Sequence, residues 1–227
     1  KAYILLTLMF IIAIIGFLLQ LLIYPIFYFN TKFYRFLTDK LLNIFIPAFL
    51  APILINNFNI YMNKKMIDSK SFKTNNIYMC NHAGRIDWIL SLWFGYNNYS
   101  KKVNFIAEVT GKYLPIIGWY RSLCEDIYVS RTFNKDQDLI LNNINSYKKD
   151  NVLRDIFFSP EGVIADKNIY DISMIKDCNN FCKNNNFKKF EYVLTPRYKG
   201  LNCLIDNNNK YYALTVAYFK NNKLMNC

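Results

Sequence analysis

The sequence predicts an α/β protein: a largely parallel sheet flanked by helices, preceded by an N-terminal transmembrane helix and an interfacial or re-entrant apolar segment. Three observations carry this prediction. Ala2 to Asn30 contains no charged residue. After Asn56, short β-favouring runs alternate with segments of helical periodicity, the pattern of a buried parallel sheet with crossover helices. Hydrophobic residues make up 53% of the 227 and aromatics 18%, enough apolar surface to exclude an intrinsically disordered chain, and 7 Gly with 6 Pro exclude a collagen-like one.

The elements follow in chain order. A bilayer span needs about 20 mostly apolar residues, and the run over 2–29 exceeds that. A signal peptide would have an apolar core of about 7–15 residues and then a small-residue cleavage site. Neither is present, so a retained helix is expected. Leu41 to Ile55 is apolar but short and contains Pro47 and Pro52, which fits a re-entrant or interfacial segment better than a second crossing. Lys32, Arg35 and Lys40 lie between the two, and the positive-inside tendency places them and the downstream chain in the cytosol. The expected division is a membrane-anchoring segment, 1–55, and a catalytic body, 56–227.

Asn76 to Cys80 reads as a strand and Ile86 to Trp93 as a helix. Val103 to Ile106 and Ile127 to Val129 read as strands. Between them Lys112 to Leu123 holds Pro115 and Gly118, which predict a broken helix or structured loop. Asn134 to Lys148 is amphipathic, with Leu139, Ile140, Ile144 and Tyr147 on one face. Leu153 to Phe158 and Tyr192 to Leu194 are expected strands, and Tyr211 to Phe219 is a long β-favouring run. Asp171 to Lys183 is expected to be helical, with Ile172, Ile175, Cys178, Phe181 and Cys182 inward.

Charge narrows the partners. Residues 56–227 hold 24 basic and 15 acidic residues, a net +9. Nucleic acid is the reflex reading of such a balance, but no nucleic-acid-binding signature accompanies it. Anionic lipid or a phosphorylated substrate fits a chain that opens with membrane-like sequence. The six cysteines form no CxxC pair and are expected as free, mostly buried thiols; with one histidine, no metal site is expected.

That histidine is the most restrictive feature. His82 precedes Asp87 by five residues, which on one continuous helix leaves them about 140° apart. They meet only if the chain turns between them, which Gly84 eases. Asp87 would then accept from one ring nitrogen and fix the tautomer, leaving the other to take a proton from a hydroxyl.

Four segments in order widen the pattern: Asn81-His82-Ala83-Gly84-Arg85-Ile86-Asp87; Gly111 to Trp119 with Ile127 to Arg131; Phe157-Phe158-Ser159-Pro160-Glu161-Gly162; and Val193-Leu194-Thr195-Pro196-Arg197. Together they resemble the motif blocks of the glycerolipid acyltransferases, the lysophosphatidic acid acyltransferase family, over roughly residues 77–200. The likeness is greatest to the eukaryotic branch that includes lysocardiolipin acyltransferase.

The resemblance implies a glycerolphosphate-acyltransferase-like fold. It also implies transfer of a fatty acyl group from acyl-CoA, a co-substrate with no further cofactor, to the free hydroxyl of a lysophospholipid, with lysophosphatidic acid the leading acceptor. His82 would be general base and Asp87 its orienting partner, with no acyl-enzyme. Arg131, Glu161, Gly162 and Arg197 would bind the acceptor; Glu161 would order its loop or accept from a hydroxyl. Endoplasmic reticulum membrane is the implied location. Ser159, Val163-Ile164 and Glu108 depart from the family pattern, which motivates an alternative: a catalytically degenerate lipid-binding or scaffold membrane protein. A Ser-His-Asp hydrolase is disfavoured because no G-x-S-x-G elbow is present.

Overall fold

The computed structural model describes residues 2–54, 75–84, 87–89, 92, 102–130, 132–162, 172–190, 194–196, 198–206, 209–217, 219–220 and 223–224. Three helices open the chain: α1 (Ala2–Ile23), α2 (Ile26–Phe29) and α3 (Thr31–Leu54). Asn30 caps α3, its side-chain oxygen accepting the Phe33 N–H at 2.9 Å. Thr7 to Phe29 is long and apolar enough to cross a membrane by length and composition. Pro47 and Pro52 do not break α3, contrary to expectation. Each removes one backbone donor, but Leu42, Ile46 and Leu50, one face of the helix, are pinned in the core of the body.

The body holds β1 (Asn76–Cys80), β2 (Val103–Glu108), α4 (Ile117–Leu123), β3 (Ile127–Val129), α5 (Phe133–Lys149), β4 (Asp155–Phe158), α6 (Ile172–Asn184), α7 (Tyr198–Asn202) and β5 (Lys210–Leu214). A two-stranded antiparallel pair, β6 (Phe219–Lys220) and β7 (Lys223–Leu224), follows. The five longer strands form one sheet in the order β3-β2-β4-β1-β5, every described pairing parallel. The register sets Tyr78 against Phe157 on one side and Tyr212 on the other.

Strand alternation distributes the core over both faces. Tyr78, Cys80, Val103, Phe105 and Phe157 pack with Leu42, Ile46 and Leu50 of α3. Ile77, Ile156 and Phe158 point the other way and meet Ile140 of α5 and Leu204. Both sheet faces are covered, as a parallel sheet requires.

The segment predicted as a broken helix is a 3₁₀ turn (Val109–Tyr113), then α4. Between them Ile116 has φ 65°, and the Ile117 N–H bonds to the Pro115 carbonyl at 2.7 Å. This is a strained γ-turn at a β-branched residue. Beside it Gly118 is required: a Cβ there would sit 2.3 Å from the Gly111 carbonyl oxygen.

Two further expectations change. Tyr211 to Phe219 is not one strand; β5 ends at Leu214 because Val216 is captured by a side chain from another loop, described below. Ile175 of α6 is exposed rather than inward. That helix roofs a cavity with Cys178 and Phe181 instead of closing on a packed core. Leu194 lies outside any strand, and Tyr192 and Val193 fall outside the described residues.

Candidate active site

The candidate residues gather at the carboxyl ends of the parallel strands, the edge at which open α/β sheets bind ligands. β1 ends at Cys80 and delivers Asn81 and His82; β4 ends at Phe158 and delivers Ser159 to Gly162. The two strands are hydrogen-bonded neighbours, so the two loops are adjacent.

His82 Nδ1 lies 2.9 Å from Asp87 Oδ2. The same oxygen accepts the Gly84 amide at 2.9 Å, and the Asp87 N–H returns to the Gly84 carbonyl at 3.4 Å. The chain therefore turns between the pair as the spacing required. Gly84 contributes its amide rather than a left-handed φ, since among the described glycines only Gly162 has positive φ. The His82 side chain is 29% exposed and that of Asp87 1%, so the imidazole reaches solvent while its carboxylate partner does not. A carboxylate only accepts, so the proton between them belongs to Nδ1 and the Nε2 lone pair is the available base.

Sequence reasoning missed a second clasp. Asn81 Nδ2 donates to the Val216 carbonyl at 2.9 Å, and the Val216 N–H donates to Asn81 Oδ1 at 2.7 Å. One side-chain amide thus pairs with both backbone groups of a residue beyond β5 and pins the loop that carries His82. The only sequence signal was an asparagine at a strand end.

Ser159 to Gly162 is a tight turn closed by the Gly162 N–H to the Ser159 carbonyl at 3.0 Å, with Gly162 at φ 75°. The turn points Glu161 inward, where it is nearly fully buried. Its carboxylate accepts the backbone N–H groups of His82 and Leu194, while Oε2 has no partner among the described residues. Burial raises the Glu161 carboxyl above its ordinary value, against the lowering pull of those two amides and of His82. Burial, with Asp87 and Glu161 close by, also pushes the Cys80 thiol up to about 12, so this cysteine stays protonated at neutral pH and is a poor nucleophile.

A cavity of about 580 Å³ opens against Glu161 and Gly162. Glu108, Val129, Asp136 and Thr195 stand around it, with Lys199 its described basic residue. Asp136 accepts the Ser130 N–H at 2.7 Å and hydroxyl at 2.9 Å, fixing the loop between β3 and α5. His82 and Asp87 are not in its lining; the His82 backbone amide links them to Glu161, which is. Of the six residues singled out in the sequence, the structure brings together His82, Asp87, Glu161 and Gly162. Arg131 and Arg197 lie outside the described residues. Among the described residues no cluster of His, Cys, Asp or Glu is placed to hold a metal ion.

A parallel α/β sheet with a histidine–carboxylate pair at its carboxyl edge describes an α/β enzyme. The family model described as Acyltransferase matches residues 59–213, more than half of the chain, and the chain belongs to this family. It is similar to lysocardiolipin acyltransferase 1 of Gallus gallus, 24% identical over 207 residues, covering 87% of this chain and 52% of that protein. The Danio rerio protein of the same name is 23% identical over 207 residues, covering 87% and 51%. 1-acyl-sn-glycerol-3-phosphate acyltransferase epsilon of Mus musculus is 25% identical over 156 residues, covering 66% and 42%. The chain spans about half the length of the curated relatives it matches. No solved structure matches it significantly.

Proposed function

We propose that this chain transfers a fatty acyl group from acyl-CoA to the free hydroxyl of a lysophospholipid at a membrane surface. The observation that carries the reading is the 2.9 Å contact of His82 Nδ1 with buried Asp87, which leaves the second ring nitrogen of a partly exposed imidazole to act as the base. Nε2 takes the hydroxyl proton as that oxygen attacks the thioester carbonyl. The tetrahedral intermediate collapses, the carbon–sulfur bond breaks, and the coenzyme A thiolate leaves with the proton held on the imidazolium. No acyl-enzyme forms, which agrees with the protonated Cys80 thiol beside the site.

The cavity at Glu161 and Gly162 is the acceptor site in this reading, and its volume of about 580 Å³ suits a glycerol head group with part of a chain. Lys199 reaches it, and Arg131 and Arg197, assigned by resemblance, supply the charge for phosphate. Lysophosphatidic acid is the first acceptor to test, in keeping with the name of the mouse 1-acyl-sn-glycerol-3-phosphate acyltransferase epsilon. The endoplasmic reticulum, with the body toward the cytosol, is the proposed location, and 56–227 the proposed catalytic region.

The test is release of coenzyme A thiol by purified protein across a panel of lysophospholipids. Release that depends on the acceptor and is lost in His82→Ala is expected. Full activity in His82→Ala overturns the mechanism, and silence on every acceptor favours a lipid-binding scaffold.

A further inference from the structure

The body of the chain is basic, yet the cavity at Glu161 is not. Residues 56–227 carry a net +9. Around the cavity the described charged residues are Glu108, Asp136, Glu161 and Asp177, four carboxylates, against one lysine, Lys199. The sign of the charge inverts where an acceptor would sit.

These carboxylates stand at different depths. Glu161, delivered by the turn after β4, is 4% exposed. Asp136, in the first turn of α5, is 7% exposed and held by Ser130. Glu108 ends β2 and Asp177 stands on α6, both exposed. Lys199 on α7 is exposed as well, so the described cation of the lining stays in water while two of the carboxylates do not. Ile106, Val129, Ile140 and Phe181 make the walls between them apolar. Apolar walls exclude water and extend the reach of the charges.

Glu161 points to a ligand. Its carboxylate accepts the backbone N–H groups of His82 and Leu194, but Oε2 is buried with no hydrogen-bond partner among the described residues. A buried charged oxygen without a donor is unfavourable, so the site is complete only when a ligand brings one. A positive charge on that donor would also offset the burial that raises the Glu161 carboxyl.

Head groups differ in what they offer. A phosphate monoester brings nearly two negative charges at neutral pH and acceptor oxygens. A polyol donates hydrogen bonds without charge. A trimethylammonium group is charged but has no N–H, and is held by aromatic cages; the described lining has two aromatic rings, Phe158 and Phe181. A primary ammonium brings both the charge and three N–H donors.

Resting on the acyl-transfer reading above, we propose that the cavity selects acceptors whose phosphate is esterified to a primary amino alcohol. Glu161 Oε2 accepts from the ammonium, and Glu108, Asp136 and Asp177 supply the surrounding field. Lysophosphatidylethanolamine is the simplest such acceptor and is preferred over lysophosphatidic acid.

The test has a turnover arm and a binding arm, both on the full chain in neutral detergent. In the first, lysophosphatidylethanolamine, lysophosphatidylcholine, lysophosphatidylglycerol and lysophosphatidic acid of one chain length compete for acyl-CoA. A preference in kcat/KM of at least about tenfold for the ethanolamine acceptor over lysophosphatidic acid is expected. Glu108→Lys and Asp177→Lys, at exposed positions, should each move that ratio about 3- to 10-fold toward lysophosphatidic acid. In the second, saturation-transfer NMR without acyl-CoA compares glycerophosphoethanolamine with glycerol 3-phosphate. Stronger binding of the former is expected, with the difference lost in Glu161→Gln. Another acceptor winning the competition, or a ratio that neither lysine variant moves, overturns the proposal. Equal or stronger binding of glycerol 3-phosphate does the same, as does no binding of either by a chain silent in turnover. Silence in turnover with the binding preference intact supports the head-group site and overturns acyl transfer alone.

Discussion

His82 and Asp87 face each other at 2.9 Å across a bend whose own amide, that of Gly84, binds the same carboxylate oxygen. The carboxylate therefore does two things: it shapes the loop and it assigns the proton to Nδ1. An Asp87→Asn side chain can turn its NH₂ toward Nδ1, which forces the ring proton onto Nε2 and removes the base. The expected result is a roughly 10²- to 10⁴-fold fall in kcat with little change in KM. Thiol release under saturating acceptor measures it, and His82→Ala should lose at least as much.

Asn81 acts on His82 from behind. Replacing it with Ala leaves the Val216 N–H and carbonyl without their partner and frees the loop, so kcat should fall about 10- to 100-fold as the base drifts from its position. Loss of the two part-buried hydrogen bonds should also lower stability by about 1–3 kcal/mol. Asn81→Asp should be worse than Ala, because it sets a carboxylate against the Val216 carbonyl. Steady-state kinetics and thermal melts of the two variants separate the effects.

Glu161 makes stability depend on pH. Its folded pKa is raised above the ordinary 4.5 by burial. Above pH 4.5 the folded chain therefore holds a proton that the unfolded chain has released, and stability falls as pH rises through the raised value. Glu161→Gln removes this dependence. The difference in Tm between variant and parent should move in the variant's favour from pH 4.5 upward, as read by melts from pH 4 to 8.

Gly118 and Gly200 should respond in opposite ways to the same substitution. Gly118→Ala would place a methyl 2.3 Å from one backbone carbonyl oxygen and 2.7 Å from another, neither able to give way. A loss of at least about 3 kcal/mol is expected, the upper end of ordinary overpacking. Nothing lies within 4 Å of a Cβ at Gly200, within α7. Gly200→Ala should be neutral or stabilising by up to about 1 kcal/mol. Chemical denaturation of both reads the contrast.

Arg35→Ala should cost about 3 kcal/mol, because losing the 2% exposed guanidinium leaves the partly buried Glu125 and Asp150 without this counter-charge. Adding Glu125→Gln should recover part of that loss. A double-mutant cycle on melting in detergent tests the coupling.

How much the sequence disclosed follows the range of the interactions. β3 is found at its expected boundaries, Ile127 and Val129, because local β propensity and the flanking residues define it. The meeting of His82 with Asp87 was legible as a condition, since their spacing allowed contact only through a turn. The continuity of α3 through Pro47 was not, because residues far along the chain, among them Tyr78 and Phe157, hold it. The same applies to Asn81: its partner lies 135 positions away, and that bond also ends β5 sooner than the apolar run from Tyr211 implied. Ile175 followed the periodicity of its helix, but periodicity does not distinguish a packed core from the rim of a cavity.

Arg35 also sets a timetable for biogenesis. Its partners Glu125 and Asp150 lie 90 and 115 residues downstream. At roughly 5–20 residues per second of synthesis, the first two helices exist for about 5–20 seconds before either carboxylate has been made. During that interval the guanidinium lacks the partners that hold α3 against the body. Capture by Glu125 and Asp150 is then the event that commits the N-terminal helices to the side of the sheet, and a chain arrested before residue 125 should remain in the uncommitted state.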